Sequence, residues 1–132
     1  MTRLSSLPGY SGYNRNVTAV AMDRRFLLVG QGSGEVSAHF LNNGREAFRT
    51  KISEADISAV CCEEQDDNWN EVFYVCDAEN KVFTLNRRGE VIARNHLGQK
   101  RGKVHTIVNT KRFAFTVHTT LGEQPFSKEL FR

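Results

Sequence analysis

The sequence predicts an all-β chain built from repeated four-stranded antiparallel units, and three observations lead there. Three segments open alike: Val17-Thr-Ala-Val20, Ile57-Ser-Ala-Val60 and Val104-His-Thr-Ile107. Each is followed by a second apolar run: Phe26–Val29, Val72–Val75 and Phe113–Val117. Turn-forming residues then recur at matching places.

Taken in order, the first runs start 9, 15 and 9 residues before their second runs, so the middle copy carries six extra residues. A third run follows ten residues after the second in the first two copies, Phe26 to Val36 and Val72 to Val82. Gly32-Ser-Gly34-Glu35 and Asp77-Ala-Glu-Asn80-Lys81 precede these runs, and both contain residues that tolerate positive φ. Asn42-Asn-Gly44-Arg45 and Arg87-Arg-Gly89-Glu90 mark the next turns, with fourth strands expected near Glu46–Lys51 and Glu90–Asn95. Strands are expected at 17–22, 26–31, 35–41, 45–51, 57–62, 72–76, 81–85, 90–95, 104–109 and 113–118. No segment carries a long 3.6-residue apolar period, so no major helix is expected.

A unit of four strands in about 40 to 47 residues is the blade period of a β-propeller. The near-continuous apolar runs Val17–Met22, Phe26–Val29 and Val72–Cys76 suit strands covered on both faces. The expected fold is a partial β-propeller of about two and a half blades, each a four-stranded antiparallel sheet. A small β-sandwich or open barrel is the alternative. Residues 1–15 read as an N-terminal extension, 16–53 as blade 1, 54–98 as blade 2, 99–121 as a partial blade 3 and 122–132 as a tail. The third copy fades at Leu121-Gly-Glu-Gln-Pro125, because proline disfavours an inner strand. Val20, Leu28, Val60, Tyr74 and Phe115 are the expected core.

Residues 16–121 resemble WD40-type repeats in spacing and turn chemistry, without the Gly-His and Trp-Asp signatures of that family. Phe83-Thr-Leu-Asn-Arg-Arg-Gly89, bracketed by apolar β runs, also resembles a turn in the N-terminal propellers of BBSome-type ciliary coat subunits. These resemblances imply a non-catalytic scaffold or adaptor that binds other protein subunits, in the second case within a ciliary trafficking coat.

Composition narrows the classes. The chain has 132 residues, 39% hydrophobic and 25% charged, which fits a globular domain. No apolar run approaches the roughly 20 residues of a membrane span, and the first residues lack a signal-peptide core. The reading is a cytoplasmic protein, cilium-associated if the second resemblance holds. Cys61, Cys62 and Cys76 are odd in number and irregular in spacing, which suits buried thiols rather than disulfides.

Chemistry-bearing motifs are few. Gly30-Gln-Gly-Ser-Gly34 follows a strand, but Glu35 stands where a dinucleotide fingerprint needs glycine, and no Gly-Lys-Ser/Thr is present. It reads as a turn. If the last hairpin turned at Lys111-Arg112, His105 and His118 would face each other, since both pairs sum to 223. Zinc needs about four ligands and the cysteines have no knuckle spacing, so no metal is expected. His105 matches Thr18 and Ser58 in the other copies, which suggests a buried polar spot in each blade. No nucleophile elbow is present. The sequence therefore implies no enzyme and no cofactor.

Two surface features remain. The middle-copy insertion carries Glu63, Glu64, Asp66, Asp67 and the only tryptophan, Trp69. A loop tryptophan beside steering charges suits a protein-binding anchor. Residues 1–80 hold 7 Lys/Arg and 12 Asp/Glu, a net −5, whereas residues 81–132 hold 11 and 3, a net +8. Arg87, Arg88, Lys100, Arg101 and Lys103 are the candidate contacts for an anionic partner, and a nucleic-acid-binding β module is the second functional candidate.

Overall fold

The computed structural model describes residues 17–63, 72–98, 102–108 and 114–127. It is all-β. The first sheet runs in the order β1 (Val17–Met22), β2 (Phe26–Gln31), β3 (Glu35–Phe40), β4 (Glu46–Lys51). The second repeats that order with β5 (Ile57–Glu63), β6 (Val72–Asp77), β7 (Lys81–Leu85) and β8 (Val91–His96). The third holds β9 (Val104–Val108), β10 (Ala114–Thr119) and β11 (Gly122–Ser127). Every pairing between neighbouring strands is antiparallel. β5 packs against both β1 and β9, so the sheets stack through their first strands as blades of a partial β-propeller.

The repeat is exact down to its irregularities. Val17 pairs with Gln31 but Ala19 with Gly30, leaving Thr18 as an extra residue. Ile57 pairs with Asp77 but Ala59 with Cys76, leaving Ser58 extra. Thr119 pairs with Val104 but His118 with Thr106, leaving His105 extra. Each first strand therefore bulges at its second residue. The fourth strands do the same at Ala47 and Ile92.

This bulge explains the opening motif. Side chains alternate between faces along a strand, so residues three apart should point oppositely. One extra residue restores parity. Large residues one and four (Ile57 and Val60, or Val104 and Ile107) then share one face, and the small third residue takes the other. Thr18 and His105 are exposed and Ser58 is half-buried, donating to the Cys76 and Asp77 carbonyls at 3.1 Å. The polar residue marks a bulge, not a buried polar spot. His118 lies opposite Thr106, so the expected His105–His118 pairing is displaced by one position.

The core has two layers. Leu28, Val36, Phe26 and Phe48 of the first sheet pack with Val60, Phe73, Val75, Phe83 and Leu85 of the second. The second sheet's other face adds Ala59, Cys61, Tyr74, Cys76 and Val82, which pack with Val104 and Ile107. Leu28, Val60 and Tyr74 are buried as expected. The side chain of Phe115 falls outside the described residues. Val20 is not core: it is 52% exposed. It points away from the second sheet, on a face where β1 meets no other described sheet.

The connections are clamped from the preceding sheet. Gly32–Gly34 is a 3-10-type turn, with Ser33 at φ 66° and Gly34 at φ 80°. A Cβ on Gly34 would run into the Ser53 carbonyl. The Ser33 N–H donates to Asp56 Oδ1 at 2.9 Å, and the Ile52 N–H donates to the Gly34 carbonyl at 3.0 Å. From the other side, buried Asp77 accepts from Ser53 Oγ at 2.6 Å and from the Glu79 and Lys81 N–H groups. Asn80 occupies the place of Gly34 one sheet on, at φ 63°. Its amide donates to the Gly98 and Gly102 carbonyls, both at 2.8 Å, and its Oδ1 accepts from the Val104 N–H at 3.0 Å.

The third sheet extends past the expected boundary at 121, because residues 122–127 form β11 rather than a tail. Pro125 pairs with Thr116 on this edge strand. An edge is where a sheet accepts a residue without an N–H. Gln31, Asp77 and Thr119 are the buried polar residues that pair with the first position of each repeat.

Candidate functional site

The face of the first sheet turned away from the second is the most informative surface. Directly paired residues share a face, so Val17, Val20 and Met22 of β1 lie beside Gln31, Val29 and Leu27 of β2. Ser37 and His39 of β3 continue the row. Arg49 of β4 closes it, held by Glu35 at 2.7 Å and by Glu46. The strip is apolar and exposed at β1, buried through Val29, Gln31, Ser37 and His39, and charged at the outer strand.

The second sheet supplies the reference for this face. Its equivalent row is Ile57, Val60 and Cys62, then Val75 and Phe73, then Phe83 and Leu85. The inner two strands carry the same chemistry in both sheets. The third strands do not: Ser37 and His39 stand where Phe83 and Leu85 stand. Ile57 and Val60 are 0% and 7% exposed, whereas Val17 and Val20 are 36% and 52% exposed and Met22 is 67% exposed. Sequence reasoning missed this site by placing Val20 in the core. Aligning Ser37 and His39 with Phe83 and Leu85 was the available signal.

His39 is buried and its Nε2 lies 3.2 Å from Ser37 Oγ. Burial pushes its pKa below the ordinary 6.5; Glu46 opposes this and Arg49 reinforces it. A depressed folded-state value means that the neutral ring is favoured. Its stabilisation is therefore present above pH 6.5 and is lost as the pH falls through the folded value. Denaturation midpoints measured between pH 7.5 and 5 should decline, and less steeply in His39→Gln. Parallel declines would exclude His39 as the cause.

The anticipated site residues are distributed differently. Glu64, Asp66, Asp67 and Trp69 lie outside the described residues. Glu63 ends β5 opposite Val72, so the acidic segment is the hairpin connection between β5 and β6. The same connection in the first sheet is only Asp23-Arg24-Arg25, where Asp23 Oδ1 caps the Arg25 and Phe26 N–H groups at 2.7 Å. Arg87 and Arg88 sit in the β7–β8 turn, where the Arg88 N–H donates to Asn86 Oδ1 at 2.9 Å. Lys103 lies beyond the far end of β8, and six strand residues span roughly 20 Å. Lys100 and Arg101 lie outside the described residues. Arg88 and Lys103 thus lie at opposite ends of β8.

Cys61, Cys62 and Cys76 form no disulfide; Cys61 and Cys76 are buried and Cys62 is half-buried. Burial pushes the Cys76 thiol up to about 12, with a hydrogen bond from Ser58 opposing and Asp77 adding to the rise. Such a thiol is inert at neutral pH. Among the described residues, no group of three or more His, Cys, Asp or Glu side chains is placed to hold a metal ion. No helix among them is long and apolar enough to cross a membrane.

No family model and no curated protein matches the sequence. The structure is similar to the computationally designed Ika4 protein, with a TM-score of 0.67 and 16% identity over 89% of this chain and 69% of that one. It is also similar to the computationally designed Ika8 protein, with a TM-score of 0.64 and 14% identity over 89% of this chain and 35% of that one. The chain thus spans about a third of the latter's length. At these identities the likeness is one of fold.

Proposed function

We propose that the chain is a non-catalytic adaptor that binds other protein subunits through the exposed positions of β1, Val17, Val20 and Met22. One observation carries this reading. Positions one and four of the repeat are buried in the second and third sheets but exposed in the first, as Val17 and Val20. Exposed apolar positions that are interior elsewhere in the same repeat mark a docking surface. The acidic connection with Trp69 offers the partner a second handle. Resemblance at the Phe83–Gly89 turn extends the proposal to a subunit of a cytoplasmic or ciliary trafficking coat.

The test is in-cell cross-linking of the tagged full chain, comparing wild type with Val20→Asp/Met22→Asp. Cross-links to protein partners should fall about tenfold or more, equivalent to roughly 1.4 kcal/mol of affinity. Stability should change by no more than about 0.5 kcal/mol, as for exposed sites. An unchanged cross-linking pattern would exclude these positions.

A further inference from the structure

The β3–β4 and β7–β8 turns are each organised around an asparagine. Asn43 Oδ1 accepts the Arg45 N–H at 2.8 Å, and Asn86 Oδ1 accepts the Arg88 N–H at 2.9 Å. In both, the carboxamide reaches the N–H two residues on, which folds the side chain forward over the intervening peptide. The intervening residue differs: it is Gly44 after Asn43 and Arg87 after Asn86. The carboxamides differ as well. Asn86 Nδ2 donates to Glu90 Oε1 at 3.1 Å, whereas Asn43 is exposed to water.

We infer that Asn43 is a site of spontaneous deamidation, at which the chain converts its own carboxamide to aspartate or isoaspartate through a cyclic imide. This goes beyond the adaptor reading and does not depend on it. Three features single out Asn43. Gly44 has no Cβ to crowd its nitrogen, and at φ 72° it sits in the left-handed region that glycine enters and leaves without steric cost. The Arg45 N–H already donates to Oδ1, the atom on which negative charge builds when Cγ is attacked. The leaving carboxamide nitrogen belongs to an exposed side chain. In the reaction, the Gly44 nitrogen loses its proton to hydroxide and attacks Cγ. The Cγ–Nδ2 bond breaks, and Nδ2 takes a proton from water and leaves as ammonia. Water then opens the imide at either carbonyl, so a carboxylate replaces the amide with no change of oxidation state. One bond restrains the first step: the Gly44 N–H donates to the Phe40 carbonyl at 2.7 Å. The nitrogen therefore reacts when that end of the turn opens. Isoaspartate carries the main chain through the former side chain and lengthens it by a carbon. The loop closed by the Phe40 N–H and Arg45 carbonyl, at 2.8 Å, then no longer fits its register.

The test ages the full chain in mildly alkaline buffer and maps its peptides by mass. Asn43 should gain the mass of an amide-to-acid exchange about tenfold or more faster than Asn86, or than Asn42, which is exposed in the same turn. The aged chain should accept methyl groups from S-adenosylmethionine through a purified isoaspartyl methyltransferase. Amide exchange at Phe40 and Gly44 should rise in the modified fraction. Gly44→Ala should bring Asn43 down to the rate of Asn42. Conversion at Asn43 no faster than at Asn42 in the wild-type chain would overturn the inference. So would an undiminished rate at Asn43 in Gly44→Ala, because the Gly44 nitrogen would then not be the nucleophile.

Discussion

Phe73→Ala should cost about 3–5 kcal/mol, the range for truncating a buried aromatic ring. Phe73 belongs to the second sheet, yet its ring meets two rings of the first. It stands edge-on to Phe26 at 5.5 Å and tilted to Phe48 at 5.8 Å. Phe26 in turn lies 5.2 Å from Phe40. Removing the ring opens a cavity at the junction of two sheets and takes away the edge-to-face pairing as well. Phe73→Leu fills most of the space and should recover more than half of the loss. Urea denaturation monitored by circular dichroism gives both values. A loss under about 1 kcal/mol for the alanine variant would mean that the sheets hold together without the aromatic bridge.

Asn80→Ala should cost roughly 3 kcal/mol through a different mechanism. It removes two donors to the Gly98 and Gly102 carbonyls and the acceptor for the Val104 N–H. That buried N–H then lacks this partner, at about 1–3 kcal/mol. The backbone at φ 63° adds strain for alanine that asparagine tolerates. Asn80→Gly relieves the strain but restores no hydrogen bond, so it should fall between wild type and alanine. Amide exchange at Leu97 and Val104 should accelerate in both variants while β2 and β3 remain protected. Uniform acceleration across all three sheets would instead identify Asn80 with global stability rather than with the third sheet's attachment.

Strand positions were legible because they depend on local chemistry. Gly44 and Gly89, at φ 72° and 82°, close the turns that their surrounding residues announce. The spacing between apolar runs fixed most strand ends to within a residue. Core assignment depends on which neighbour covers a strand, and sequence run content does not encode that. Val20 and Val60 occupy equivalent positions of one motif, yet among the described residues Val60 has a sheet before it and Val20 has none. Pairing across β9 and β10 was misjudged because the pairs nearest the hairpin, Thr116 with Val108 and Val117 with Ile107, are already offset by one from a turn centred on Lys111-Arg112, and because His105 is itself the bulged residue. Arg88 and Lys103, grouped together in the sequence reading, are separated by the length of β8, which only topology reveals.

The clamps between sheets also impose an order of assembly. The Gly32–Gly34 turn is closed by Asp56, 23 residues later, and the Asn80 turn by Val104, 24 residues later. Each turn is therefore completed by chain that does not yet exist when its own sheet has left the ribosome. At a synthesis rate of about 5–20 residues per second, the wait from the last strand of a sheet to its clamp, Lys51 to Asp56 or His96 to Val104, is roughly 0.3–2 seconds. During that interval a blade holds its strands but not its seal, and the arrival of the next linker locks it. Maturation then travels from the amino-terminal blade toward the carboxyl-terminal one, with each unit finished by its successor.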